Sequence, residues 1–170
     1  MAEPSKVLVG KAKDSYIIKV DGKGTMEFCS DLFMYLSEKI ETEKVDDVYF
    51  ELSSATYLDS SFIGIIISVQ KKLKKKSKES DVIILNPSEK VKEILSNMGL
   101  LEIIPLQEGE KFKNISLTEE IEKKLEKNYK SIKLLLESHQ NLMELTPENK
   151  KRFALVEELL KKELERNKND

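Results

Sequence analysis

Short runs of β-branched and apolar residues alternate with stretches of helical period along the first two thirds of the chain. The runs are Val7-Leu8-Val9, Tyr16-Ile17-Ile18-Lys19-Val20, Val48-Tyr49-Phe50-Glu51-Leu52, Val82-Ile83-Ile84-Leu85 and Ile103-Ile104. Each is bounded by polar or turn-forming residues, which is the pattern of buried strands. Only Lys11 to Ser15 separates the first two, a spacing that predicts an antiparallel hairpin. Between the later runs the period lengthens. Phe28, Leu32, Tyr35, Leu36 and Ile40 form one apolar stripe, and a second helix follows Asp59-Ser60-Ser61 through Ile63, Ile66, Ile67 and Val69 to Leu73. A third opens at Asn86-Pro87-Ser88, carries Val91, Ile94, Leu95 and Met98, and ends at Gly99. This order predicts an α/β domain: a mixed, mostly parallel sheet of about five strands, with right-handed crossovers and helices packed on it.

From about Gln107 the composition turns to Lys, Glu, Leu and Asn, and strand-like runs cease. Leu117, Ile121, Leu125, Tyr129, Ile132 and Leu136 predict a long helix from Leu117 to about Leu136. Thr146-Pro147-Glu148 opens another, with Phe153, Val156, Leu159, Leu160 and Leu164 as its stripe. The expected organisation is a domain over residues 1–106 and a C-terminal helical hairpin over 107–170. Two helices cannot bury both stripes against each other alone, so the excess apolar surface should cover the domain or form a homodimer.

Composition narrows the function. At 170 residues the chain can hold one compact domain with an appended element, but not two full-sized domains. The 31 acidic and 29 basic residues nearly cancel, which argues against a nucleic-acid-coating protein. The basic run Lys71 to Lys78 reads as the solvated end of the second helix, where positive charge suits the helix dipole; it lacks aromatic residues that would stack bases. A single cysteine, Cys29, excludes an intramolecular disulfide, and with the single His139 it leaves too few soft ligands for a structural zinc site. No metal or cofactor is expected. Cys29 reads as a small buried residue and His139 as a surface one, so no nucleophile and base pair up and no enzymatic activity is expected. Gly22-Lys23-Gly24-Thr25 lacks the glycine spacing of a phosphate loop and reads as a turn. The start, MAEPSKVLVG, has no signal-peptide stretch, and no run approaches the ~20 apolar residues that span a bilayer, so a cytoplasmic protein without membrane contact is expected.

The polar residues that could carry function cluster at Asp59-Ser60-Ser61, between the strand run ending at Leu52 and the second helix. Loops at the carboxyl ends of parallel strands are where open α/β folds place their sites. Capping chemistry alone makes these residues a helix cap. Exposed helix N-terminal amides also form an anion site, so a phosphate on Ser60 would be tolerated locally while adding roughly −1.5 to −2 charges beside Asp59. The segment Leu58-Asp59-Ser60-Ser61-Phe62-Ile63-Gly64 resembles the signature of STAS-domain anti-sigma-factor antagonists, and the element order, Asn86-Pro87-Ser88 and Gly99-Leu100-Leu101 extend the resemblance over about Val7 to Leu106. The resemblance implies a STAS-like fold, Ser60 as phosphoacceptor, and a partner surface of Asp59, Ser60, Ser61, Phe62 and Thr25. The implied partner is an anti-sigma factor serine kinase or related regulator. The alternative is a constitutive scaffold or oligomerisation protein in which Asp59-Ser60-Ser61 is only a cap.

Overall fold

A computed structural model of the chain describes residues 4–125 and 127–168. Strands β1 (Lys6–Ala12) and β2 (Ser15–Gly24) form the expected antiparallel hairpin, turned by Lys13 at φ 55°. The two halves of β2 pair with different strands. Tyr16 to Lys19 run parallel to β3 (Asp47–Glu51), and Gly22 to Gly24 run parallel to β4 (Ala55–Leu58) with a register shift between Gly22 and Lys23. Gly22, Lys23 and Gly24 are therefore strand rather than the turn their glycines suggest. Gly22 sits at φ +91°, and a Cβ there would meet Ser5 Oγ at 2.7 Å, so the bulge requires glycine.

The sheet order is β6-β5-β3-β2-β1-β7, with β5 at Asp81–Leu85, β6 at Leu106–Gln107 and β7 at Leu117–Glu120. Neighbours from β6 to β2 are parallel, and β1 is antiparallel to both β2 and β7. This is the expected mixed sheet, with seven strands instead of about five. Ile103-Ile104 is not one of them. Leu100–Glu102 forms a 3-10 turn after Gly99, whose φ of 80° ends the preceding helix; Ile104 drops into the core from this turn, and strand pairing starts at Leu106.

The predicted helix from Leu117 is also corrected. Without β7, β1 would be an open edge with unpaired amides and carbonyls. Leu117–Glu120 fills that edge, and the Ile121 amide donates to the Val7 carbonyl at 2.8 Å. The sheet thus continues past residue 106. Helix α4 (Tyr129–Met143) begins only at Asn128, which caps it in a reciprocal box with Ser131. Helix α5 (Pro147–Arg166) starts as expected, with Thr146 as its cap.

Helices α1 (Cys29–Thr42), α2 (Ser60–Lys76) and α3 (Glu89–Asn97) share one core with one face of the sheet, where Val48, Phe50 and Leu52 alternate inward. Ile17, Tyr49, Ile83 and Leu85 point to the opposite face and are covered by Phe112 and Ile115 from the segment before β7. The Phe50 ring is fully buried, edge-on to Phe62 with centroids 6.3 Å apart. Phe50→Ala should cost about 3–5 kcal/mol in urea unfolding, and a loss under about 1 kcal/mol would remove this ring from the core.

Candidate functional site

Asp59 joins three parts of the fold. Its backbone amide donates to the Gly24 carbonyl at the end of β2 (2.9 Å). One carboxylate oxygen accepts from the Phe62 amide inside α2, and the other accepts from the Met26 amide in the segment entering α1, both at 2.9 Å. Thr25, half-buried with its hydroxyl oxygen turned inward, is thus held beside the start of α2. Burial pushes the Asp59 carboxyl above the usual carboxylate range; the hydrogen bonds from the Phe62 and Met26 amides, the nearby His139 and the Ser61 amide pull against it.

Ser60 is the first residue of α2 and is half-buried. Its Oγ lies 3.1 Å from His139 Nε2, 79 residues away in sequence. The expectation that His139 is a surface residue is wrong: it is 5% exposed, on the face of α4 that meets α2. Its Nδ1 lies 2.8 Å from the Leu135 carbonyl. A carbonyl cannot donate, so Nδ1 carries a proton and donates to Leu135, leaving Nε2 to hydrogen-bond the Ser60 hydroxyl. The imidazole also packs edge-on against Phe153 of α5, centroids 5.4 Å apart.

The other two residues of the expected partner surface face inward. Ser61 is buried, and Phe62 is 0% exposed against Phe50. Neither side chain is presented to a partner, because α2 turns both toward the core. Asp59, Ser60 and Thr25 are half-buried, and of these the Thr25 hydroxyl is turned away from solvent. Cys29 is buried, as expected, and burial raises its thiol well above the ordinary value.

Helix α4 covers the face of α2 that starts at Ser60. Gly64 lies against it so closely that a Cβ would meet the Ser138 carbonyl oxygen at 2.6 Å. One turn on, Asn141 Nδ2 donates to Ser68 Oγ at 2.9 Å. Lys71 Nζ donates to Asn141 and to Glu144 at 2.7 and 3.0 Å. Lys74 pairs with Asp81 at 2.6 Å, so much of the basic run is engaged rather than simply solvated. Small residues at Ser60, Gly64 and Ser68, one helical turn apart, were the readable sign of a close helix contact. Nothing in the sequence marks His139 as the residue opposite.

Among the described residues, no group of three or more His, Cys, Asp or Glu could hold a metal ion, and no helix is long and apolar enough to cross a membrane.

A family profile described as "STAS domain" matches residues 7–120, ending at the close of β7 and before α4 and α5. Among solved structures, the anti-sigma factor antagonist SpoIIAA in its unphosphorylated form is similar with a TM-score of 0.56 at 17% identity, covering 63% of this chain and 90% of that one. The Bacillus cell fate determinant SpoIIAA in its phosphorylated form gives 0.53 at 16% identity, covering 63% and 94%. An anti-sigma factor antagonist from Mycobacterium paratuberculosis gives 0.51 at 18% identity, covering 62% and 89%. At these identities the likeness is one of fold.

The Asp59 environment has a measurable pH signature. The native carboxyl ionises at higher pH than the unfolded one, whose ordinary value is 3.8. As pH rises through that window the unfolded chain releases its proton first, so this group's contribution to stability is present below 3.8 and is lost as pH climbs through the native value. In urea unfolding from about pH 3 to about pH 7, Asp59→Asn should gain stability relative to the unsubstituted chain as pH rises. A relative loss instead would mean that the amide hydrogen bonds outweigh burial.

Proposed function

The chain belongs to the STAS domain family, and on that premise we propose that it is a regulatory protein-binding module of the anti-sigma-factor-antagonist type, switched by phosphorylation of Ser60. The observation that carries the reading is the position of Ser60 as first residue of α2, directly after the Asp59 cap. The Phe62 and Ile63 amides of the first turn are taken by Asp59, so what softens a phosphate's cost to the fold there is the positive end of the α2 dipole rather than free donors. A partner docked over the same point meets roughly −1.5 to −2 added charges next to a carboxylate that burial already disfavours, and is repelled. The partner class is an anti-sigma-type serine kinase or a related regulator.

A non-enzymatic role fits the geometry better than catalysis. Ser60 and His139 lie at the distance of a nucleophile–base pair, but the group that fixes the imidazole is the Leu135 backbone carbonyl of its own helix rather than a carboxylate. The pair reads as a packing contact between helices.

Incubation with an anti-sigma-type serine kinase and ATP, followed by peptide mapping, should place the phosphate on Ser60 and find none in Ser60→Ala. Equal labelling of Ser60→Ala would sink the assignment. Ser60→Asp should weaken partner binding by about tenfold or more, a lower bound because a carboxylate carries only part of a phosphate's charge.

Self-association through the C-terminal helices has its own support: Leu155 and Leu159 on α5 are 64% and 55% exposed. They lie one turn apart on a helix already packed on its other side by Phe153. Light scattering should give a dimer mass that falls to the monomer in Leu155→Glu/Leu159→Glu. A monomer in the unsubstituted chain removes this reading.

A further inference from the structure

Closure of α4 over α2 has a direct steric consequence for Ser60. Transfer of a phosphoryl group forms a bond from Ser60 Oγ to the γ-phosphorus of ATP as the bond to the β–γ bridging oxygen breaks; ADP leaves and the hydroxyl proton passes to the kinase's base. Oγ must attack the γ-phosphorus from the side opposite the leaving bridging oxygen, so the whole phosphate has to be seated against Oγ, and the product carries a tetrahedral phosphorus with three further oxygens. His139 Nε2 stands 3.1 Å from Oγ of the half-buried Ser60, so α4 occupies one side of this hydroxyl and narrows the approach to it. Resting on the reading of Ser60 as phosphoacceptor, we infer that the C-terminal hairpin is an autoinhibitory lid: α4 seated on α2 and a modified or partner-bound Ser60 exclude each other, and a partner reaches the switch only by displacing α4.

The contact is built as a reversible seat. Along the α2 face its polar members are Ser60 with His139, Gly64 with Ser138, Ser68 with Asn141 and Lys71 with Glu144, which water can resolvate, while Leu142 and Phe153 join the core and hold the seat closed by default. The hairpin is fixed elsewhere. Asn149, fully buried, donates from Nδ2 to the Met98 carbonyl at 2.8 Å and to the Leu142 carbonyl at 2.9 Å, tying the α4–α5 junction to the end of α3. A lid tethered in this way faces α2 at the high effective concentration of an intramolecular ligand, so it is closed by default and yields to a competitor for the same face.

Gly64 offers a way to open the lid without harming the helix beneath it. Alanine at this mid-helix position is favoured over glycine by roughly 1 kcal/mol as far as α2 is concerned. Its methyl group, however, would stand 2.6 Å from the Ser138 carbonyl oxygen and 2.7 Å from Ser138 Cβ, backbone and stem atoms of α4 that cannot turn aside. Gly64→Ala is thus a wedge between α2 and α4. Asn149→Ala loosens the hairpin from a second point, remote from Ser60.

Access to position 60 can be read without any kinase. In the full chain, the thiol of Ser60→Cys is alkylated with iodoacetamide, with Ser77→Cys, at an exposed helix end, as the reference and buried Cys29 as the internal check that the domain stays folded. Ser60→Cys should react well below the Ser77→Cys rate, and adding Gly64→Ala or Asn149→Ala should raise its rate by about tenfold while Cys29 stays protected, a change equal to about 1.4 kcal/mol in the opening equilibrium. Departure of His139 on opening would by itself slow the thiol, so a rise in rate reports access rather than activation. Reaction of Ser60→Cys at the reference rate, or the same slow rate in all three backgrounds, overturns the lid. If the thiol becomes accessible as expected but a kinase still leaves Ser60 unmodified in Gly64→Ala, the lid stands and the phosphorylation reading falls.

Discussion

A helix that is apolar around its circumference has to be covered on every side, and the first half of α2 is such a helix. Phe62, Ile63, Ile65, Ile66 and Ile67 are all buried, and no single face of the sheet could bury them together. The sheet and α1 take part of this surface, and the C-terminal hairpin takes the rest with Leu142 and Phe153, which join the same core. The hairpin is therefore not an independent appendage. The same apolar circumference that packs α2 into the domain calls for a second layer, and that layer lands on the start of α2 because Ser60, Gly64 and Ser68 let a neighbouring backbone approach there.

Asp59 translates this packing into sensitivity to charge. Its two carboxylate oxygens are committed to amides on different elements, Met26 ahead of α1 and Phe62 in α2, so any field that moves the carboxylate is felt at both. Burial already works against its ionised form, and further negative charge at the adjacent Ser60 would add to that penalty. A residue that served only as a cap would need one of those two hydrogen bonds, not both.

Much of this was legible in the chain itself. The hairpin, the alternation that faces Val48, Phe50 and Leu52 inward, the Asp59 and Ser88 caps, the Gly99 stop and the Thr146-Pro147 start all follow from local rules, and the structure follows them. What failed was decided by distant partners. Leu117-Thr118-Glu119-Glu120 has the spacing of a helix and becomes a strand because β1 offers an unpaired edge. Ile103-Ile104 has strand composition, but a 3-10 turn buries Ile104 without a ladder. Asp59 and Ser60 were found by their position at a strand-to-helix junction. His139 was not, since its polar neighbours Ser138, Gln140 and Asn141 suggest solvent when two of them, Ser138 and Asn141, in fact meet α2. Phe62 was assigned to the surface from its place in the motif, although a helix that starts at Ser60 turns it onto Phe50.

The energetics of the hairpin set how such a switch can operate. Its polar contacts with α2 are each worth only about 0.5–1.5 kcal/mol net, because water replaces them when the helices part. Its apolar residues weigh more: Ile132, Leu136, Leu142 and Phe153 are all buried, at about 1.5–3 kcal/mol apiece by transfer. Full detachment would expose these side chains and the covered face of α2 together, so thermal opening alone is rare. A competitor must supply apolar surface in exchange, and the form most suited to that face is another helix with a small residue opposite Gly64, the arrangement that α4 itself uses through the backbone of Ser138. Charge at Ser60 then acts on whichever helix occupies the face. On the proposed reading, the lid and a partner would be alternative ligands of a single surface, and a phosphate on Ser60 would oppose both.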